Sequence, residues 1–248
     1  MAEYQVVTER CRDGTHGGLL AVAPNMMGTT AQRREELHLV DGSMTEPLSQ
    51  VGATIDWRRR LPVLSGAHVR LREPRRSDAA SLFAMLTEDV TRFISPPPET
   101  IEGFERFIAW TLRRRSAGVS ASFAVTLPGY DTAVGIFQVR QLEPSFAIAE
   151  WGFAIGSAFW GTGIFPESAE LVMRFVFETL DVHRLEARAA VQNGRGRGAL
   201  AKIRAVQEGV LRQSFQQHGD FADHVLYSIL GEDWRSSRTS ESAIVTRE

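Results

Sequence analysis

The sequence has little cysteine, no excess of charge of one sign and no long apolar run. Its 248 residues include one cysteine, Cys11, so the chain cannot form an internal disulfide or a multi-cysteine metal site. A net charge of -2 gives no overall field that would attract nucleic acid or anionic lipid. Residues 17–27 are too few and too interrupted to span a bilayer. We therefore expect a cytoplasmic protein without a targeting segment that binds neither nucleic acid nor membrane.

Regular hydrophobic patterning begins only near Ala67. Residues 1–60 mix glycine, threonine, proline and charged residues with no sustained period of 2 or 3.6. This composition favours a partly disordered extension over an arm that binds a partner. Residues 61–234 have the patterning of one folded domain, and residues 235–248 are predicted to be a flexible C-terminal tail.

Alternating and helical periods follow each other in an order that predicts a mixed α/β fold. A strand near His68–Arg72 precedes two helices, of which the second is capped by Thr100. Two alternating runs joined by turn residues predict a hairpin, and a third strand follows at Ile148–Ile155. The later elements are a helix over about Pro166–Thr179, a strand Arg184–Val191, a short helix near Ala199–Val206 and strands Val210–Phe215 and His224–Leu230. The order β-α-α-β-β-β-α-β-α-β-β predicts a mixed sheet with one crossover unit and one ligand crevice.

The loop after the third strand has the composition of an anion-binding turn. Gly161 and Gly163 allow backbone N–H groups to turn towards one point, and the following helix adds the positive end of its dipole. Pro166 fits the first helical turn because no hydrogen-bond donor is lost there. A pyrophosphate group suits this arrangement. From these residues alone, a tight turn without a ligand is an equally good explanation.

The surrounding residues resemble the GNAT superfamily, in particular its branch of ribosomal-protein N-terminal acetyltransferases. That branch commonly has Phe-Trp-Gly-x-Gly followed shortly by glutamate, and residues 159–163 and Glu167 match this pattern. Further matches in the same register are Asn193, Leu200, Lys202 and residues 208–212. The resemblance covers about residues 61–234. It implies a splayed central sheet that binds acetyl-CoA as a co-substrate.

The resemblance also implies where acetyl-CoA would lie. The backbone of Ile155 would run beside the pantetheine arm, with Asn193 on the opposite wall. The pyrophosphate would contact the turn made by Trp160, Gly161, Thr162, Gly163, Ile164 and Phe165. Arg195 and Arg197 alternate with glycines, which is compatible with a mobile loop or with a contact to the adenosine phosphate. No metal is expected, because no spacing of His, Cys, Asp and Glu suggests a metal site.

Three positions depart from the pattern of the family. Phe165 replaces a small residue, so its ring must point away from the pyrophosphate or the cofactor must shift. Gly196 replaces a serine and removes one hydroxyl. Arg204 and Ala205 replace a Gly-Phe pair. These changes keep the register of the motif, and the sequence leaves open whether they reduce the affinity for acetyl-CoA.

Acyl transfer to an amine requires a group that takes a proton from the nucleophile. Glu150 is the candidate base, since its strand leads into the loop and alternation places it on the face opposite Trp151 and Phe153. A carboxylate paired inside the sheet is an equally good explanation of this residue. In related enzymes a glutamate can lie five residues before the asparagine, but that position is Arg188 here. Leu200 replaces the tyrosine that many members use as a general acid, so the general acid is unassigned.

These observations predict an acetyl-CoA-dependent N-acetyltransferase that works by direct attack within a ternary complex. The resemblance favours a protein N-terminal α-amine as the acceptor. A small amine such as a polyamine or an aminoglycoside is the first alternative. A non-catalytic acyl-CoA-binding module is the second. The sequence is compatible with both a monomer and a homodimer.

Overall fold

An eight-stranded mixed sheet forms the centre of the protein. The computed structural model describes residues 56–217 and 220–245. The strands are β1 (Leu64–Ser65), β2 (Arg70–Arg72), β3 (Ser120–Leu127), β4 (Tyr130–Gln141), β5 (Ile148–Ile155), β6 (Arg184–Ala190), β7 (Val206–Gln217) and β8 (Asp220–Leu230). They lie in the order β1-β2-β3-β4-β5-β6-β8-β7. Every neighbouring pair is antiparallel except β5 with β6, and a parallel pair needs a crossover connection.

Helices pack on both faces of the sheet. They are α1 (Ala79–Met85), α2 (Glu88–Thr91), α3 (Ile101–Ser116), α4 (Ile164–Arg174), α5 (Gly194–Lys202) and α6 (Gly231–Val245). A π-helical turn over Phe175–Thr179 extends α4 and completes the crossover from β5 to β6. The mixed α/β fold predicted from the sequence is confirmed.

Strand alternation divides the core between the two faces. Ile136 and Phe137 are neighbours in β4, and both are buried. Ile136 belongs to a cluster with Phe104 of α3, whereas Phe137 belongs to the larger cluster that includes Phe175 after α4. This is the period of 2 that makes successive strand residues face opposite sides.

Several predicted boundaries agree with the structure. The third predicted strand and β5 share the bounds Ile148–Ile155. The hydroxyl oxygen of Thr100 accepts a hydrogen bond of 3.0 Å from the N–H of Gly103, which is the predicted cap of α3. The predicted helix after the glycine loop begins two residues earlier than expected, at Ile164.

Two predicted segments differ from the structure. The short helix expected near Ala199–Val206 instead runs over Gly194–Lys202, because Asn193 caps it and its Oδ1 accepts from the N–H of Gly196 at 2.8 Å. The expected flexible tail is helical up to Val245. The indole of Trp234 packs on Phe177 with ring centroids 5.3 Å apart, which holds the start of α6 against the domain.

The packed domain reaches back to Trp57. Its side chain is 7% exposed, and its ring meets Phe146 edge-on with centroids 5.7 Å apart. Residues 1–55 of the predicted N-terminal extension lie outside the described residues. The prediction that this segment is an extension therefore stays a prediction.

Removal of residues 1–55 should leave folding and acetyl-CoA binding unchanged, since the sequence gives that segment no regular patterning. The Trp57→Ala variant should instead lose about 3 kcal/mol of unfolding free energy, because a large buried aromatic side chain is removed. Denaturant titration of the full chain, the chain starting at Asp56 and the variant tests both statements. A shortened chain that unfolds as easily as Trp57→Ala would show that residues 1–55 pack on the domain.

Candidate active site

The sheet splays apart between β5 and β6. Three residue pairs join the two strands, and the last of them is Glu150 with Glu186. Beyond it, β5 stays paired with β4 up to Ile155, and β6 stays paired with β8 up to Ala190. The gap between these strand ends is called the wedge below. Its two edges carry backbone groups that an extended polar chain can pair with, like an added strand.

The β5 edge of the wedge can be assigned group by group. Ile155 lies opposite Gly135, and the N–H of Gly156 donates to the carbonyl of Val134 at 2.9 Å. Ile155 is therefore at a non-hydrogen-bonded position, and its backbone groups point away from β4 into the wedge. By the period of 2, those of Phe153 point the same way. The carbonyl of Ile155 already accepts from Nε1 of Trp160 at 2.9 Å, so a ligand meets the N–H of Ile155 and both backbone groups of Phe153.

The loop from β5 to α4 turns sharply at two glycines. Gly161 and Gly163 have φ of 78° and 89°, in the left-handed region where a side chain is strained. Gly163 immediately precedes α4, so the unpaired N–H groups of the first helical turn open onto the loop. Such a helix start, with its positive dipole end, suits an anionic group.

Glu167 of the matched motif has a structural role. Its carboxylate accepts from the backbone N–H of His68 at 3.0 Å and lies 3.2 Å from Nδ1 of the same residue. This contact ties the first turn of α4 to the segment between β1 and β2. Glu167 therefore fixes the direction in which α4 leaves the loop.

Phe165 points into the packed aromatic floor beside the wedge. Its ring centroid is 4.5 Å from that of Phe153 and 6.1 Å from that of Phe137. The extra bulk relative to the small residue of the family is therefore packed against the sheet.

The start of α5 forms the opposite wall. The side-chain oxygen of Asn193 caps this helix. A Cβ added at Gly196 would come within 2.5 Å of the Asn193 amide nitrogen. A glycine at position 196 therefore fits this close approach. Arg195 reaches across to Trp160 with its guanidinium carbon 4.0 Å from the ring centroid, a cation–π contact. Arg197 turns inward instead, and its Nε donates to the Tyr227 hydroxyl at 3.3 Å.

Loop, wedge and α5 together enclose a cleft of about 810 Å³. Of the eight residues predicted to bind the cofactor, six line it: Ile155, Trp160, Gly161, Gly163, Phe165 and Asn193. The side chain of Ile164 is buried in the core, and the hydroxyl of Thr162 donates to the carbonyl of Phe159 at 2.7 Å. Phe93 and Ile94 also line the cleft, and no sequence pattern predicts them, because the irregular segment after α2 has no periodicity.

Glu150 lies at the apex of the wedge and is 2% exposed. A guanidinium N–H of Arg140 donates to its Oε2, and Arg188 Nε lies 3.7 Å from Oε1. Burial raises the pKa of Glu150, while the positive charges of Arg140 and Arg188 oppose that rise. The residue thus has both features expected from its sequence: it is paired inside the sheet, and it stands next to the candidate site.

A second, smaller cavity of about 100 Å³ adjoins the cleft at this apex. It is lined by Glu150 and Arg188 together with His224 of β8, and it shares Phe93 and Phe153 with the cleft. Burial lowers the pKa of His224 to about 4, and the charge of Arg188 acts in the same direction. His224 is therefore neutral at pH 7. Long-range strand pairing brings these residues together, which no local pattern in the sequence could show.

A model of the family described as Acetyltransferase (GNAT) domain matches residues 68–206, more than half of the chain. The chain belongs to the GNAT acetyltransferase family. This result confirms the resemblance inferred from the loop motif and the enzyme class that follows from it. GNAT enzymes use acetyl-CoA and an amine acceptor, and the cleft and wedge offer an anion-binding turn and a strand edge of the kind that this co-substrate needs.

Individual relatives support the same conclusion. YdaF of Bacillus subtilis, named as an inferred ribosomal N-acetyltransferase, is 27% identical over 176 residues, which span 68% of this chain and 94% of YdaF. The ribosomal protein uS5-alanine N-acetyltransferase of Escherichia coli is 29% identical over 122 residues, or 49% of this chain and 63% of that enzyme. Mycobacterium smegmatis RimJ, solved with CoA-disulfide, shares the fold with a TM-score of 0.61 at 22% identity, covering 69% of this chain and 85% of that one.

Two further properties concern the part of the chain that the structure describes. Within residues 56–217 and 220–245, no three His, Cys, Asp or Glu side chains are grouped in a way that could hold a metal ion. Across the same residues, none of the helices is both long and apolar enough to cross a membrane.

The Gly163→Glu variant should bind acetyl-CoA at least about tenfold more weakly, because it places bulk and negative charge where the pyrophosphate is expected. Gly129→Glu in the β3–β4 turn is the matched control. Both glycines have positive φ, 89° and 81°, and an added Cβ meets nothing within 4 Å at either position. The two variants therefore share the same kind of backbone strain, of order 1–3 kcal/mol.

Isothermal calorimetry with acetyl-CoA on both folded variants shows whether a loss of affinity is specific to the glycine loop or follows from any glutamate at a positive-φ glycine. Gly129→Glu should keep the affinity of the natural protein. Equal affinity of Gly163→Glu and Gly129→Glu would remove the glycine loop from the binding site.

Proposed function

We propose that the protein transfers an acetyl group from acetyl-CoA to a primary amine, and that the acceptor is the α-amine of a protein N-terminus in the cytoplasm. The observation that carries this proposal is the wedge, which opens at Glu150 and ends at a glycine turn and a helix start. The names of YdaF and of the uS5-alanine enzyme, both assigned to ribosomal acetylation, support a protein acceptor.

The acetyl donor would lie along the wedge. The N–H of Ile155 and the backbone groups of Phe153 would pair with the amides of the pantetheine arm, as in an added strand. The turn at Trp160–Phe165 would hold the pyrophosphate. Acetyl-CoA supplies an activated thioester, which this arrangement would direct towards the apex where Glu150 lies.

The acceptor amine would enter beside Glu150 and attack the thioester carbonyl directly. The only cysteine, Cys11, lies outside the described residues, so no cysteine of the described site can form an acyl-enzyme. Glu150 would take the proton that the nitrogen loses as the C–N bond forms. The C–S bond then breaks, and the thiol group, with a free pKa of about 8.5, can leave as thiolate and take a proton from water. A dedicated general acid is not needed for this step.

An N-terminal acceptor lowers the demand on Glu150. An α-amine has a pKa of about 8, against about 10.4 for lysine, so a larger fraction is already neutral at pH 7. Burial raises the pKa of Glu150, and this makes the carboxylate a stronger base. The pair of Glu150 and an α-amine is therefore suited to proton transfer near neutral pH.

Release of free thiol from acetyl-CoA, measured with a panel of N-terminal peptides and small amines, tests the proposal. We expect amine-dependent thiol release, with the acetyl group found on the α-nitrogen by mass spectrometry. Release that no amine accelerates would contradict an enzyme and favour a protein that only binds acyl-CoA. Faster transfer to polyamines or aminoglycosides than to any peptide would contradict the N-terminal acceptor.

The Glu150→Gln variant should keep its affinity for acetyl-CoA and lose roughly a hundredfold in turnover, as is typical of a lost general base. The defect should shrink as pH rises through about 8, because an amine that is already deprotonated in solution needs less help. Steady-state kinetics between pH 6 and 9 measure both effects.

Glu186→Gln is the matched control for this variant. Glu186 is the partner of Glu150 across the last β5–β6 pair, but its carboxylate accepts from Arg184 Nε at 2.9 Å and is not among the residues lining the small cavity. Its loss should leave turnover nearly unchanged. A folded Glu150→Gln enzyme that matches Glu186→Gln at pH 7 would refute the assignment of the base.

A further inference from the structure

Arg188 has hydrogen-bonding capacity that the described residues do not use. Its Nε is buried without a hydrogen-bond partner among them. Its closest carboxylates are Glu150, 3.7 Å from Nε, and Glu186, 3.9 Å from Nη2, and both distances exceed those of charge-assisted hydrogen bonds. An arginine carries five N–H donors in a planar fork that matches a carboxylate.

Each of these two carboxylates has a closer arginine partner. Glu150 accepts from Arg140, and Glu186 accepts from Arg184. The two acids beside Arg188 are thus already engaged, and neither forms a forked pair with it. Arg188 is therefore a cation with free donors at the edge of the small cavity.

Two further titratable groups line the small cavity: Glu150, which is already paired with Arg140, and His224. His224 is neutral at pH 7, so it can donate or accept but adds no charge that would neutralise a bound anion. Buried donors without acceptors are costly unless a ligand satisfies them.

The position of Arg188 relates this cavity to the acceptor amine. Arg188 lies two residues beyond Glu186 on β6, so it is about 6.6 Å further along the same face of the strand. The guanidinium group of Arg188 would therefore lie only a few bond lengths from the nitrogen of an amine that transfers its proton to Glu150. The cavity of about 100 Å³ can hold a carboxylate but not a long side chain.

We propose that Arg188 determines acceptor specificity by binding a carboxylate that lies within a few bonds of the acceptor amine. The inference rests on the proposed function. Such a carboxylate belongs either to the side chain of an N-terminal Asp or Glu or to the α-carboxylate of a free amino acid. Both sources present the same chemistry to the guanidinium, and matched acceptors separate them.

Two pairs of acceptors test this assignment. Peptides that begin with Asp or with Asn differ in the side-chain carboxylate, and glycine differs from glycinamide in the α-carboxylate. Because the carboxylate also raises the pKa of a nearby amine, kcat/KM is compared per neutral amine. The natural enzyme should favour the anionic member of one pair by about tenfold or more in kcat/KM, as expected for a charge-assisted pair. The pair that shows the preference identifies the source of the carboxylate.

Variants of Arg188 test whether the preference for the anionic acceptor depends on the positive charge of this residue. Arg188→Gln should reduce the ratio to about one, whatever its effect on overall turnover through Glu150, and Arg188→Lys should keep part of the ratio because it keeps the charge. Arg184→Gln is the control, since it removes a positive charge from the same strand outside the small cavity. It should leave the ratio unchanged.

A ratio near one in the natural enzyme, or the same ratio in Arg188→Gln, would overturn the proposal. If no acceptor is acetylated at all, the proposed function is wrong. The role of Arg188 is then tested by calorimetry, as the ratio of the affinities of the anionic and neutral acceptors for the CoA-loaded natural protein and for Arg188→Gln. A general loss of activity in Arg188→Gln with an unchanged ratio would show a structural role only.

Discussion

The pairing between β5 and β6 stops at Glu150, and the candidate site depends on where it stops. Three paired residues are enough to fix the two strands in parallel, and the gap beyond them exposes backbone groups from both strands. The apex is held by charge, because Glu150 of β5 lies between Arg140 of β4 and Arg188 of β6. One further residue pair would narrow the wedge, and one pair fewer would remove the carboxylate from its apex.

The environment of Glu150 balances two opposing effects. An isolated buried carboxylate would cost several kcal/mol and would take up a proton instead. Arg140 and Arg188 favour the ionised form, yet the same charges weaken it as a base. Burial is the largest influence and raises the pKa of Glu150, so proton uptake is easier than for a carboxylate in water. The two explanations of Glu150, structural partner and proposed base, are therefore compatible, because the arginines that pair with its carboxylate also favour its ionised form.

Local patterns in the sequence predicted the parts of the fold that local forces determine. Alternation gave the bounds of β5, and a single hydroxyl at Thr100 marked the start of α3. Helix α5 was misplaced because three glycines at 194, 196 and 198 have low helix propensity, which the Asn193 cap and the Arg195 contact to Trp160 outweigh. The small cavity could not be predicted, since its residues come from strands whose pairing is set by the whole sheet.

The departures from the family pattern differ in what they change. Phe165 packs into the aromatic floor, and Gly196 makes room for the Asn193 cap. Arg204 adopts φ of 61°, the left-handed conformation that explains a glycine elsewhere in the family, at a cost of about 1–2 kcal/mol. These three alter packing and backbone strain. Arg188 is different, because it places a cation where related enzymes can have a glutamate. If Arg188 has the role proposed above, this reversed charge makes the choice of acceptor the property in which this chain would differ from those relatives.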